Sequence, residues 1–276
     1  MVLGKETYSS IQDAINSASS GDTIYVHPGI YYENIFIGKK INLIGDHPLT
    51  TIIDGSKGME PIKINVIEIA HDDVHISNFT IRNSIGKGAG IDIWTHYGRE
   101  NISNCVFYNN YYGIQFYLSS GNHIANCTFY NNYYGIWHRC CCGAKCPNSI
   151  FYHNNFTNNT IQAFDQGINK WDNGLEGNYW SDYDGNDANN DGMGDVPYNI
   201  SGGDNKDEHP FMHPIDIIPP IVKVSFPNGG EVLAGKVKIK WNVSDENDAN
   251  PKIDIEYSND SATWLEIAAG LDNSGE

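Results

Sequence analysis

Residues 102–114 and 124–136 are nearly the same segment written twice. The first reads I-S-N-C-V-F-Y-N-N-Y-Y-G-I and the second I-A-N-C-T-F-Y-N-N-Y-Y-G-I; they differ only at Ser103/Ala125 and Val106/Thr128. At an offset of 22 residues, one copy is too short to bury its own apolar side, so it must stack on another. The apolar positions fall in short alternating runs, with Ile102, Cys105 and Phe107 on one side. Asn and Gly sit between the runs, where tight turns need left-handed backbone. No run has helical spacing long enough for a helix–turn–helix repeat. Such a unit is one coil of a β-helix, with neighbouring coils about 4.8 Å apart.

The pattern continues in both directions. Ile76-Ser-Asn78-Phe79-Thr-Ile81-Arg-Asn83 precedes the pair, and Phe151 to Asn159 follows it after a five-residue insertion. Less regular runs at 23–26, 35–37, 41–44, 51–53 and 66–69 read as the first coils. The open ends of such a stack need covers, because they expose apolar surface and unpaired strand edges. At the N-terminus, Ser9-Ser-Ile-Gln12 reads as a capping box with Ser9 at the N-cap. Ile11, Ala14, Ile15 and Ala18 form one helical stripe, and Gly21 reads as the stop. The expected cap helix spans about 9–20, the coils about 22–165 and a C-terminal cover 166–214.

The net charge of −17 leaves no basic stripe for nucleic acid, and it disfavours anionic membranes and polysaccharides unless divalent cations intervene. No stretch of this chain is apolar and long enough to span a bilayer, and no signal peptide is visible at the start. Sequons at Asn78, Asn101, Asn126, Asn155, Asn158, Asn199, Asn242 and Asn259 suit a secreted glycoprotein, although an Asn-rich turn repeat also produces them by chance.

The segment from Ile11-Gln-Asp-Ala-Ile-Asn through Gly21-Asp-Thr-Ile-Tyr-Val-His-Pro-Gly29 to Ile41-Asn-Leu-Ile-Gly45 resembles the start of pectin-lyase-like right-handed β-helices. The N-F-x-x-N-N elements and Gly177-Asn-Tyr-Trp-Ser-Asp-Tyr183 resemble the NosD branch, which includes the carbohydrate-binding and sugar-hydrolysis (CASH) repeats of secreted and archaeal surface proteins. The resemblance covers roughly residues 8–213. It implies an all-β fold, a right-handed parallel β-helix, at the cell surface or outside the cell. It does not imply an activity, because this fold hosts lyases, hydrolases, esterases, epimerases, adhesins and copper-delivery proteins. The clustered aspartates of polygalacturonases and an Asp-Pro-His-Glu epimerase motif are both missing. Asp72, Asp73 and His75 read as solvated turn residues, and no carboxylate pair is evident at the separation glycoside hydrolysis needs.

Aligning coils on the closing Gly-Ile places Asp92, Gln115 and Trp137 in one outward column and Trp94, Tyr117 and Arg139 in another. Aromatic rings beside amides and carboxylates, repeated at each coil, suit a sugar chain; packing beneath a neighbouring loop would use the same rings. Four of the six cysteines crowd one loop, Cys140, Cys141, Cys142 and Cys146, with His138 nearby. A zinc or copper thiolate site is one reading, but there is no C-x-x-C pair and three successive cysteines face one ion poorly. A disulfide-stapled or intermolecularly crosslinked loop is the other, and the one preferred here. Cys105 and Cys127 occupy one repeat position and should stack in adjacent coils, as inward free thiols in the preferred reading or as a bond across the ladder in the other.

Asp187-Ala-Asn189-Asn-Asp191-Gly-Met193-Gly-Asp195 has calcium-loop spacing, with Met193 offering its carbonyl and Asp182 or Asp184 completing the set. It lacks the final Glu of an EF-hand, and a structural Ca2+ in the cover is the expectation. Residues 215–220 read as a linker. Residues 221–276 read as a partial immunoglobulin- or fibronectin-like sandwich, too short for the usual seven strands of about 100 residues. The functional expectation is a non-catalytic surface β-helix that binds a glycan or serves as an envelope element, with self-association through cysteines as a further partner mode. The alternatives are a polysaccharide lyase or hydrolase using Asp92, and a copper- or zinc-binding envelope protein using the cysteine loop.

Overall fold

A computed structural model describes residues 2–3, 6–57, 64–141, 143–216, 218, 220–228, 230–232, 234–245, 252–257 and 265–273. Cys142, Pro219, Gly229, Asn259 and Trp264 lie outside the described residues. The chain forms two units, Met1–Ile217 and Ile218–Glu276.

The first unit is the solenoid. Among the described residues, three sheets of nine, seven and six strands run its length, and each coil adds one strand to each sheet. Pairing between coils is parallel throughout, in the register the repeat requires. Ile102 lies against Ile124, and Phe107 against Phe129. The insertion moves the next coil to an offset of 27, as His123 pairs Ile150.

Three features of the repeat explain this geometry. Asn104, Asn109, Asn126 and Asn131 all adopt φ between 52° and 55° at the corners, where a β-branched residue would be strained. The second asparagine of each Asn-Asn pair turns inward. Asn110 donates to the Asn132 side chain and Asn132 to that of Asn159, while all three also donate to backbone carbonyls in the coil below. This ladder gives the buried corner amides their partners, on the Ile81, Phe107 and Phe129 carbonyls of the seven-stranded sheet. The glycine before each closing Ile is dictated by space, since a Cβ at Gly113 would lie 2.4 Å from the Gly135 carbonyl oxygen and 2.8 Å from the Phe129 ring.

The core is a set of columns. One runs Ile35, Ile67, Ile91, Ile114, Ile136, Ala163. Its neighbour begins Ile37, Ile69, Ile93, Phe116 and then turns polar at His138 and Asp165. Cys105 and Cys127 are buried thiols, as expected of stacked inward positions.

A helix, Ile11–Ser17, covers the first coil and buries Ile11, Ala14 and Ile15. Its N-cap is Ser10, not Ser9, and the Ser10 hydroxyl accepts the Asp13 N–H at 3.0 Å. The capping box therefore gives way to a tertiary cap. Glu33 accepts the Ile11 and Gln12 N–H groups, and the Gln12 amide pairs with the backbone of Phe36. At the far end, Phe107, Phe129, Phe156, Trp180 and Tyr198 stack at centroid spacings of 4.8, 4.9, 4.4 and 4.2 Å. The cover thus extends the core column with larger rings, and Trp180 donates its indole N–H to buried Asp207 at 2.8 Å. No helix among the described residues is long and apolar enough to cross a membrane.

Among the described residues, the second unit contains two antiparallel pairs, Ile221–Phe226 with Lys240–Ser244 and Ile253–Tyr257 with Leu265–Leu271.

Candidate functional site

The outward face of the six-stranded sheet carries one ladder of side chains, Phe36, Glu68, Asp92, Gln115, Trp137 and Phe164. Beside it, Trp94 is 44% exposed and its ring lies 5.6 Å from that of Phe36. Between Trp94 and Tyr117 opens a cleft of about 300 Å³, lined also by Asp92, Ile93, Thr95 and Gln115. Both columns read from the sequence are in register, but their rings are not equally open. Trp137 is half-buried between Tyr112 and Phe164, at 5.3 and 6.4 Å. Tyr117 is half-buried and donates its hydroxyl to Cys141 Sγ at 3.1 Å, so the cysteine loop leans on that edge. Arg139 is exposed at the end of its strand. Tyr111 and Tyr133, and Tyr112 and Tyr134, stack on their copies as turn ladders.

Sequence reading offered Asp92 as a lone acid, and the structure corrects this. Glu68 is its register partner one coil below. The Asn65 amide donates to Asp92 at 3.1 Å and to Glu68 at 3.2 Å. Burial, reinforced by the Glu68 charge, pushes the Asp92 carboxyl up to about 6 against the pull of Asn65. Glu68 was missed because its coil is irregular, although the alternation Ile67-Glu68-Ile69 marks it as outward. Asp72 and Asp73 pair with Arg99 at 3.0 and 2.8 Å, consistent with a turn role.

The second locus is the cysteine loop. Cys140 and Cys146 form a disulfide. His138, two residues before it, is fully buried and points into the coil. Its Nδ1 lies 2.9 Å from Asp165 Oδ1, its Nε2 3.0 Å from the Ser119 carbonyl oxygen and 3.9 Å from Cys140 Sγ. Asp165 also accepts from Gly167, Asn169, Trp171 and Asn205. Burial alone would lift its carboxyl, but the hydrogen bonds from His138, Trp171 and Asn169 hold it below the ordinary value. Asp165 escaped sequence reading because the insertion shifts its coil, yet it falls at the core position that aligns with His138.

The donor atoms of His138, Cys140 and Cys146 lie within 4.8 Å of one another, the one such group of three among the described residues. Asp187, Asp191 and Asp195 do not form another. Each instead turns to a backbone N–H: Asp187 to Asp191 and Gly192, Asp191 to Met193, and Asp195 to Ala188. Asn189 Nδ2 donates to Asp191, and Asp182 accepts the Tyr198 hydroxyl.

Stacked parallel coils with a helical cover at one end and an aromatic one at the other define a right-handed parallel β-helix protein. Within it, residues 66–185, which hold both the cleft and the cysteine loop, match a family model described as periplasmic copper-binding protein (NosD). Among curated proteins no match is found. Similar solved structures include the pectin methylesterase from carrot, at 13% identity and TM-score 0.43, covering 61% of this chain and 68% of that one. Another, from Yersinia enterocolitica, has 13% identity and TM-score 0.40 over 62% and 59% of the two chains. A mutant pectin methylesterase in complex with a hexasaccharide has 14% identity and TM-score 0.42 over 63% and 56%. The chain thus spans little more than half of the first of these structures.

The copper in that family description can be tested against the donors present. Two cysteine sulfurs and an imidazole are the soft and borderline donors that cuprous copper or zinc takes. While the sulfurs bond each other, neither is a thiolate, so the set fits such an ion only in its reduced form.

Proposed function

We propose that the protein is an extracellular or cell-envelope β-helix that binds glycan chains along the outward face of its six-stranded sheet. The observation that carries this reading is the cleft between Trp94 and Tyr117, with Asp92 and Gln115 in its wall. The open face of Trp94 suits the apolar side of a pyranose, and the carboxylate and amide suit its hydroxyls. The periplasmic setting in the matched family's description supports an envelope location. The test is a polysaccharide array read for both binding and product release. Trp94→Ala should weaken binding several-fold, since one stacked ring contributes about 1 kcal/mol after ordering costs. Its melting temperature should not change. If no polysaccharide binds, the glycan reading fails and an architectural role remains.

A second reading, a polysaccharide lyase or hydrolase, gains support from the Glu68–Asp92 pair. A carboxyl near 6 with a second carboxylate beside it is suited to exchanging protons near neutrality. Under this reading Asp92→Asn leaves binding intact and abolishes product release. Under the binding reading no product appears with either form.

A further inference from the structure

We infer that the glycan taken by this face is cationic, a chain of amino sugars with free ammonium groups, held by Glu68 and Asp92 against the Phe36 and Trp94 rings. That ligand class rests on the glycan-binding reading of the same cleft. Two columns run side by side along the six-stranded sheet. In the first, Glu68, Asp92 and Gln115 occupy successive rungs. In the second, the positions two residues on are Ala70, Trp94 and Tyr117, with Gly38 one rung before Ala70. The small residues make room for rings. A Cβ at Gly38 would lie 2.8 Å from the Phe36 ring, so that ring lies over Gly38 and joins the second column. It meets the Trp94 ring at a centroid distance of 5.6 Å, although their strands are two rungs apart. A wall of rings therefore stands beside a row of two carboxylates and an amide, with a rise of about 4.8 Å per rung.

Charge selects among glycans. Glu68 and Asp92 are half-buried, and among the described residues their one hydrogen-bond donor is the Asn65 amide nitrogen. That amide is held in place, because Asn65 Oδ1 accepts the Ala89 N–H at 2.8 Å. It turns N–H groups toward the pair and so offers no oxygen to a calcium ion there. Among the described residues, the one basic side chain in the two columns is Arg139, two rungs beyond Trp94. A uronic acid chain laid along the wall would set carboxylates against carboxylates. A neutral chain would take the pair from water and leave it without a counter-charge. An ammonium group answers both costs. It donates to each carboxylate, and the ring faces beside it add cation–π attraction to the apolar contact. Burial, reinforced by the Glu68 charge, pushes the Asp92 carboxyl up to about 6, as expected of negative charge short of a counter-charge.

Each part of the cleft then has a share in recognition. Trp94 takes the apolar face of a pyranose, and the rung pair takes its ammonium group. Gln115, one rung on in the wall of the cleft that Tyr117 closes, takes hydroxyls of the next unit. The net charge of −17 draws a cationic polymer to the surface, and the Glu68–Asp92 pair decides where it docks.

The test compares a hexamer of β-1,4-linked glucosamine with its fully N-acetylated counterpart, which has the same backbone without the charge. Binding of each to the full chain is measured by calorimetry at pH 6 and low salt, with a galacturonate hexamer and hexalysine alongside. The glucosamine hexamer should bind roughly tenfold tighter than the acetylated one, the size of a charge-assisted contact. Asp92→Asn and Glu68→Gln should each abolish that preference, and either variant decides the matter if the other fails to fold. Trp94→Ala should weaken both sugars by the same factor, because both stack on the ring. A preference that survives in the carboxamide variants reflects general attraction to an acidic chain and overturns the site. Equal or tighter binding of the acetylated or galacturonate hexamer overturns the ligand class and leaves the glycan reading standing. Hexalysine bound as tightly as the glucosamine hexamer, and released by Asp92→Asn, overturns the sugar in favour of a basic peptide. Binding of none of the three oligosaccharides overturns the glycan reading itself, and the cationic class with it.

Discussion

Glu68 lies one coil below Asp92 on the outward face, and a single Asn65 amide nitrogen donates to both carboxylates, at 3.2 and 3.1 Å. Two acids on adjacent rungs are held within reach of one donor, so ionising the second is costly. The consequence is a pH dependence with a definite sign. The Asp92 carboxyl is pushed up to about 6 in the folded chain, against an ordinary value of 3.8. Between those values the folded state binds more protons than the unfolded one, so this group's contribution is fully present below the lower value and is lost as pH rises through the upper. Asp92→Asn removes the titration. Urea midpoints at pH 4 and pH 7 should therefore converge in the variant relative to wild type. If the difference between the two pH values is the same in both proteins, Asp92 is not the perturbed group.

Much of this architecture is legible before any coordinates. The register of Ile102 on Ile124 and Phe107 on Phe129 follows from the repeat, because a one-residue slip would turn every core side chain outward. What escaped has identifiable physical causes. The helix cap moved from Ser9 to Ser10 because Glu33 and Phe36, distant in sequence, supply the partners that a capping box would have supplied locally. Glu68 and Asp165 were missed because they lie in coils of irregular length, where column alignment needs the insertion counted correctly. Trp137 is half-buried because the next coil places Phe164, another large ring, directly over it. The Cys140–Cys146 pairing was beyond sequence reasoning, since spacing does not determine connectivity.

Phe129 tests the stacked core. Its ring lies between those of Phe107 and Phe156, at 4.8 and 4.9 Å and nearly parallel to both, and it is fully buried. Phe129→Ala leaves a void that two flanking coils cannot close without moving backbone. The expected loss is about 3–5 kcal/mol, read from denaturant unfolding. A loss below about 1 kcal/mol would mean the coils are not close-packed at this layer.

Glu100 makes an opposite use of burial. The residue is fully buried, its Oε2 accepts the Val74 N–H at 2.7 Å, and its Oε1 has no partner among the described residues. Burial pushes its carboxyl up to about 8 despite the Val74 bond, with Asp72 and Asp73 adding to the rise. Glu100 is therefore protonated at neutral pH. Folding stability from this group declines as pH climbs from the unfolded value near 4.5 to about 8. The slope is at most about 1.4 kcal/mol per pH unit. Glu100→Gln keeps the shape and removes the titration, so in thermal unfolding the variant should gain on wild type from pH 6 to about pH 8 and level off above it. A constant difference between the two proteins across that range would show that the carboxyl ionises normally.

The acidic loop Asp187–Asp195 is the remaining test, and its geometry changes the expectation the spacing raised. Like charges so close in sequence argue for a cation when nothing else neutralises them. Here the carboxylates of Asp187, Asp191 and Asp195 each accept backbone N–H groups, and Asn189 bridges to Asp191. Those bonds close the loop as a series of Asx turns and offset part of the repulsion without an ion. The aromatic cover rests on Trp180, Tyr198 and Asp207, and the loop is tied to it by protein bonds, with Gly194 N–H donating to the Pro210 carbonyl and Met212 N–H to the Gly192 carbonyl. EDTA should therefore leave the melting temperature of the purified chain unchanged, and added calcium should not raise it. Asp187→Ala, which removes the Gly192 acceptor and one of the two acceptors of the Asp191 N–H, should cost about 1–2 kcal/mol as a lost turn. A drop in melting temperature with EDTA that calcium restores, and that Asp191→Ala eliminates, would instead place an ion in the loop and return the C-terminal cover to a calcium-dependent element.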